Sequence, residues 1–117
     1  MHTAGKGKKG EERAVQALVS AGMEIIGRNF RSKTGEIDII ALDGETLVFI
    51  EVKAWSEYGI DSLSYSINPK KQARIIETAK YFLSIYRQYY ERVIRFDVVF
   101  VGKEKVTHLA SAFMERV

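Results

Sequence analysis

Residues Gly35 to Lys53 read GEIDIIALDGETLVFIEVK: two apolar runs joined at Asp43-Gly44, with Asp38 set in the first and Glu51-Val52-Lys53 closing the second. Asp-Gly between alternating apolar runs is a strong hairpin signal, with both turn residues at positive φ. With Asp43 and Gly44 as the loop, Leu42 falls opposite Glu45, Asp38 opposite Phe49 and Glu36 opposite Glu51. Side chains alternate with period two, so Asp38, Phe49, Glu51 and Lys53 share one face. Ile37, Ile39, Ala41, Val48, Ile50 and Val52 make the other face wholly apolar. A one-residue slip would put Asp38 among them, so the pattern pins the register. Asp38 and Glu51 become diagonal neighbours, roughly 7–8 Å apart. Charges inside apolar strands are costly unless paired or bound to a metal. Two carboxylates and a lysine so placed point to a divalent-metal site that cuts phosphodiester bonds.

The chain has 117 residues, enough for one domain with a real core, and 46% of them are hydrophobic. No apolar run approaches the ~18 residues of a membrane span. The basic start lacks the apolar stretch of a signal peptide. A cytoplasmic protein without membrane contact is the expectation. There is no cysteine, which excludes disulfides and thiolate metal sites, and only two histidines, too far apart to suggest zinc. The net charge of +3 is modest, and its distribution says more. Lys6, Lys8, Lys9 and Arg13 cluster at the start; Arg28, Arg31 and Lys33 precede the acidic strand; Lys70, Lys71 and Arg74 open a later helix. Three basic clusters around one carboxylate site fit a nucleic-acid backbone, although any one of them also reads as a solvated surface.

The pattern outside the hairpin completes an α/β order. Residues 1–9 read as a mobile tail. Ala14, Val15, Leu18 and Val19 recur at helical spacing over Glu11 to Ala21, and Gly22 is a stop. Residues 23–30 read as a strand. A polar loop spans roughly 54–68. Asn68-Pro69 opens a long helix with a broad stripe of Ala73, Ile76, Ala79, Tyr81, Phe82, Leu83, Tyr86 and Tyr89. Residues 94–101 form another strand, followed by a short strand near 105–110 and a turn at 111–115. The order αβββαβ predicts an antiparallel meander joined in parallel, through the helix, by the next strand. The result is a mixed central sheet flanked by helices.

This order and these residues resemble the PD-(D/E)xK nuclease superfamily, with its restriction-endonuclease-like fold. Asp38 matches the first acid of the motif, and Glu51 and Lys53 match its E-x-K. Gly7-Lys8-Lys9-Gly10-Glu11, Asn29-Phe30-Arg31, Gly35-Glu36-Ile37-Asp38, Phe49-Ile50-Glu51-Val52-Lys53, Lys71-Gln72 and Arg95-Phe96-Asp97-Val98 resemble the small YraN-like bacterial proteins over nearly the whole chain. Archaeal Holliday-junction resolvases are more distantly similar. Ala54-Trp55 departs from the Thr/Ser-Arg that such proteins commonly carry after E-V-K, so those substrate contacts do not carry over.

The resemblance implies a single nuclease-like domain over residues 1–117. Its activity would be that of a metal-dependent endonuclease on DNA, with structured or branched DNA a candidate substrate. The alternatives are a nuclease fold that only binds nucleic acid, and a scaffold for a protein partner. Asp38 and Glu51 would hold Mg2+ or Mn2+, with the Val52 carbonyl a further candidate. Lys53 would orient the attacking water or stabilise transition-state charge; its competing role is a structural ion pair. The resemblance brings Glu11 to the metal, while a first-turn acid that complements the helix dipole is the alternative. Lys8, Lys9, Arg31, Lys70, Lys71 and Gln72 are candidates for contact with nucleic acid, the last two near helix-start amides that could meet a phosphate. Trp55, Tyr58 and Tyr65 could stack on bases or anchor a loop. Asp97 reads as structural, paired with Arg95 or another buried base. Cutting two strands would suit a homodimer.

Overall fold

A computed structural model of the chain describes residues 4–54 and 68–114, with side chains from Lys9 onward. Lys6, Lys8, Trp55, Tyr58, Tyr65 and the body of the 54–68 loop therefore lie outside the residues whose side chains are described. Helix α1 (Ala4–Ser20) is followed by strands β1 (Glu24–Ser32), β2 (Gly35–Asp43) and β3 (Thr46–Ala54). Helix α2 (Pro69–Ile85), a 3-10 turn (Arg87–Tyr89) and strands β4 (Ile94–Val101) and β5 (Val106–Phe113) complete the order. The strands form one sheet in the order β1-β2-β3-β4-β5. All neighbours are antiparallel except β3 and β4, which run parallel through the α2 crossover. This is the restriction-endonuclease-like α/β sandwich that the sequence predicts, with β5 as an added edge. Among the described residues, no helix is long and apolar enough to cross a membrane.

Each helix seals one face of the sheet. Ala14 and Leu18 of α1 pack with Ile39, Ala41, Val48, Ile50 and Val99. Ile75, Ala79 and Phe82 of α2 pack with Ile37, Ile40, Leu47, Phe49 and Phe96. Phe49 and Phe96, partners across the parallel ladder, stack with ring centroids 5.7 Å apart. Burying each large aliphatic or aromatic side chain contributes roughly 1.5–3 kcal/mol. That burial, rather than helix propensity, holds the short helices in place.

Four expectations are corrected. First, α1 begins at Ala4 instead of Glu11. Once the turns around Ala14 and Leu18 dock, each upstream residue adds one hydrogen bond to an existing helix. Residues 4–9 are thus helical instead of a mobile tail. Glu11 lies inside α1, so its reading as a first-turn dipole partner falls away.

Second, the hairpin turns at Gly44-Glu45, with Asp43 opposite Thr46 and Leu42 opposite Leu47. Gly44 has φ +60 and Glu45 is not among the positive-φ residues. Glycine alone at the first loop position suits a II′ turn; Asp43-Gly44 as a I′ loop would need both residues left-handed. The slip is even, so Asp38, Glu51 and Lys53 keep their shared face. The ladder is paired as far as Ile39 and Ile50. One step further, Asp38 comes directly opposite Glu51 instead of diagonal to it.

Third, alternation breaks at Asn29, whose φ of 54 is left-handed. Phe30 and its partner Ile37 turn to the α2 side, so Ile37 leaves the apolar face it was expected to share with Ile39. Phe30 then meets Phe82 edge-on at 5.2 Å.

Fourth, the buried face of α2 is Ile75, Thr78, Ala79 and Phe82, while Ala73 and Tyr81 are exposed and the helix ends at Ile85. Beyond it, β5 runs through Phe113 where a turn was expected. Ser111 (φ 53) and a register shift opposite Phe96–Val98 place the turn-like residue inside a bulge.

Candidate active site

The site forms where the β2–β3 ladder ends and α2 begins. A cavity of about 420 Å³ is lined by Gly35, Glu36, Asp38, Glu51, Val52, Lys53, Ala54, Lys71, Arg74 and Ile75. Two strand ends supply the acids and Lys53. The first turns of α2 supply the remaining bases. Asn68 caps α2, its side-chain oxygen accepting from the Lys71 amide at 2.8 Å, and Pro69 fills the first turn. This cap fixes where Lys71 stands. It also occupies the Lys71 amide, one of the helix-start donors expected for a phosphate.

The opposite wall is set by the β1–β2 turn. Ser32 and Thr34 hydroxyls meet Thr78 of α2 at 3.3 and 2.9 Å, and Thr78 donates to the Arg74 carbonyl at 2.8 Å. Gly35 (φ +155) lies so close that an added Cβ would sit 3.4 Å from the Thr78 hydroxyl. Only glycine combines that backbone with that approach.

Asp38 Oδ2 accepts the Val52 amide at 2.8 Å. Burial pushes the Asp38 carboxyl up to about 9, helped by the hydrogen bond and negative charge of Glu51; the Val52 amide pulls the other way. Two carboxyl groups in contact cannot both ionise cheaply. Glu51 is buried, and its Oε2 is in contact with Lys71 Nζ. Burial also works against the Lys71 ammonium, yet the hydrogen bond and charge of Glu51 hold it above its ordinary value. Lys53 is driven below the ordinary lysine value by burial and by the Lys71 charge beside it. The cavity thus holds two acids in contact and two competing ammonium groups.

The other expected residues stand as follows. Glu11 is ion-paired with Arg28 at 3.6 Å and does not line the cavity, although its charge reaches Asp38. Arg28 also holds Glu12 at 3.1 Å. Among the described residues, no three His, Cys, Asp or Glu side chains are close enough to hold a metal ion. Arg31 pairs with Glu36. Lys9 and Lys70 are exposed, and Gln72 is half-buried. Sequence reasoning missed the Glu51–Lys71 contact and the Arg74 lining. The signal was present: Lys71, Ile75, Thr78, Ala79 and Phe82 follow the i, i+3/i+4 spacing of one helix face. Lys71 therefore points where the buried residues point.

Asp97 forms a second polar centre. It is fully buried and accepts from Arg95 Nε and Nη2 at 2.9 Å each, from His108 Nε2 at 2.7 Å and from the Ser111 amide at 3.0 Å. Arg95 also reaches Asp43 at 2.9 Å. Burial alone would raise Asp97, but its donors from His108, Arg95 and Ser111 take it down to about 2. This is the structural pairing with Arg95 that the sequence suggests.

Residues 10–101 match the uncharacterised protein family UPF0102. A UPF0102 protein of Persephonella marina is 41% identical over 92% of each chain. One from Treponema denticola is 43% identical over 92% of this chain and 93% of its own. A third, from Caldicellulosiruptor bescii, is 42% identical over 88% and 89%.

Proposed function

This chain belongs to the uncharacterised protein family UPF0102, and from its paired carboxyl groups, half-buried Asp38 beside buried Glu51, we propose that it is a divalent-metal-dependent endonuclease acting on DNA. The observation that carries the reading is Asp38 against Glu51, both oxygen donors, in a cavity that also presents Lys53. Burying two acids in contact is unfavourable without a strong cation, and hard oxygen donors suit Mg2+ or Mn2+. Asp38 and Glu51 would hold it. Once bound, such an ion supplies Lewis acidity toward a phosphate and a water of lowered pKa.

The chain's own residues do the rest. Lys53, kept below its ordinary pKa by burial and by Lys71, would hold the attacking water and stabilise charge growing on the phosphorane. Arg74, which lines the cavity, and exposed Lys70 at the start of α2 would grip the backbone phosphates. In-line attack would leave 5′-phosphate and 3′-hydroxyl ends.

A second reading has its own support: a nuclease fold that binds nucleic acid without turnover. Glu51 is already paired with Lys71, and Glu11 with Arg28. One experiment separates the two. Labelled linear, single-stranded, flapped and four-way-junction DNA is incubated with Mg2+ or Mn2+, wild type beside Glu51→Ala. Cleavage lost in the variant establishes the nuclease and identifies the preferred DNA. Intact, salt-sensitive binding with no cleavage of any substrate leaves the binding module.

A further inference from the structure

The Glu51 side chain is buried, and its carboxylate form is stabilised there by a positive partner. In the metal-free protein that partner is the Lys71 ammonium. A divalent ion between Asp38 and Glu51 would face Lys71 and Lys53 at the same cavity, and like charges a few ångströms apart in a partly buried site repel strongly. Lys53 is anchored in a strand, whereas Lys71 hangs from the first turn of a capped helix with its side chain 39% exposed. A compact ammonium on a flexible four-carbon stem can move without moving the backbone. Lys70 precedes Lys71 in the same helical turn and is exposed, and Arg74 lines the same cavity.

We infer that Lys71 is an exchangeable cation of this site: it neutralises Glu51 while no metal is bound, yields that carboxylate to the metal, and turns outward to a nucleic-acid phosphate. This rests on the metal-binding reading above. One side chain then serves two ligands in turn. Metal binding and nucleic-acid binding favour each other, and by linkage each raises the other's affinity by the same factor.

The test is Mn2+ titration of the full chain by calorimetry and electron paramagnetic resonance. Lys71→Met removes the competing charge and should tighten Mn2+ binding by about fivefold or more. Lys71→Arg replaces it with a fork that grips a carboxylate better, and should weaken Mn2+ binding several-fold. A residue that merely supports the fold would not move affinity in opposite directions, and the arginine variant remains informative if the methionine variant folds poorly. In a Lys53→Met background that suppresses turnover, Mn2+ should raise affinity for a short DNA duplex, and adding Lys71→Met should remove that rise. Unchanged or weaker Mn2+ binding in Lys71→Met, with binding lost in Glu51→Gln, overturns the exchange and leaves the metal site standing. No Mn2+ binding in wild type or Lys71→Met overturns both.

Discussion

Asp38 and Asp97 are both acids set in apolar strands, and the fold treats them in opposite ways. Asp97 receives four donor groups from Arg95, His108 and the Ser111 amide, and its carboxyl sits at about 2. Asp38 receives the Val52 amide and faces a second acid, and its carboxyl is pushed up to about 9. A saturated buried acid is part of the framework. One left facing another acid beside a cavity is what the proposed metal site calls for. The residue type is the same; the supply of donors separates structure from chemistry.

The strongest way to break this contrast is to remove the saturated centre. Asp97→Ala leaves Arg95 and a ring of donors without their acceptor, and should cost about 3–5 kcal/mol of stability in urea unfolding at neutral pH. A cost under ~1 kcal/mol would mean that Asp97 is not the framework acid described here.

Lys53→Met probes the other side. It should lower DNA cleavage by about 100- to 1,000-fold while leaving the urea midpoint nearly unchanged. Equal losses in activity and stability would instead make Lys53 a structural ion pair.

pH sharpens the contrast because the two acids carry opposite signs. Asp97 is depressed from 3.8 to about 2, so its contribution of about 2 kcal/mol is present above pH ~4 and lost as pH falls through ~2. Asp38 is raised from 3.8 to about 9. Its protonated form is the stable one in the fold, so stability present below ~4 is lost as pH rises toward ~9. Melting of the metal-free protein should show both slopes. Asp38→Asn should flatten the alkaline one, and Asp97→Asn the acidic one. A slope that survives its own substitution would assign it elsewhere.

The smallest effect lies where the β1–β2 turn meets α2 beside the cavity. Thr78→Val deletes the hydroxyl shared by Ser32, Thr34 and the Arg74 carbonyl. It should cost about 1 kcal/mol by thermal unfolding. Because the β1–β2 turn borders the cavity, cleavage should fall more than stability does.

Local pattern carried most of the fold. Period-two alternation placed Asp38, Glu51 and Lys53 on one face, and that assignment survived an even slip in register because parity, not the pairing itself, decides the face. Asn68-Pro69 marked the start of α2, and the strand after it was parallel, as a helical crossover requires. Asp97 was legible as structural because a charge in an apolar strand must find partners.

What failed depended partly on local backbone handedness and partly on interactions between distant segments. The turn slid because backbone handedness at Gly44 suited a different loop. Phe30 follows the left-handed Asn29, and Ile37, its ladder partner in β2, packs on the α2 side with it. The kinked edge strand β5 brought His108 and the Ser111 amide to Asp97. The ion pairs drew on charges far apart in sequence: Arg28 claimed Glu11, and Lys71 claimed Glu51. The sequence by itself determined that Asp38, Glu51 and Lys53 share a face, since periodicity is a property of neighbouring residues. Tertiary structure alone decided that Lys71 meets Glu51 and Arg28 meets Glu11, because these partners are set by the packing of a helix and a strand that no local spacing connects.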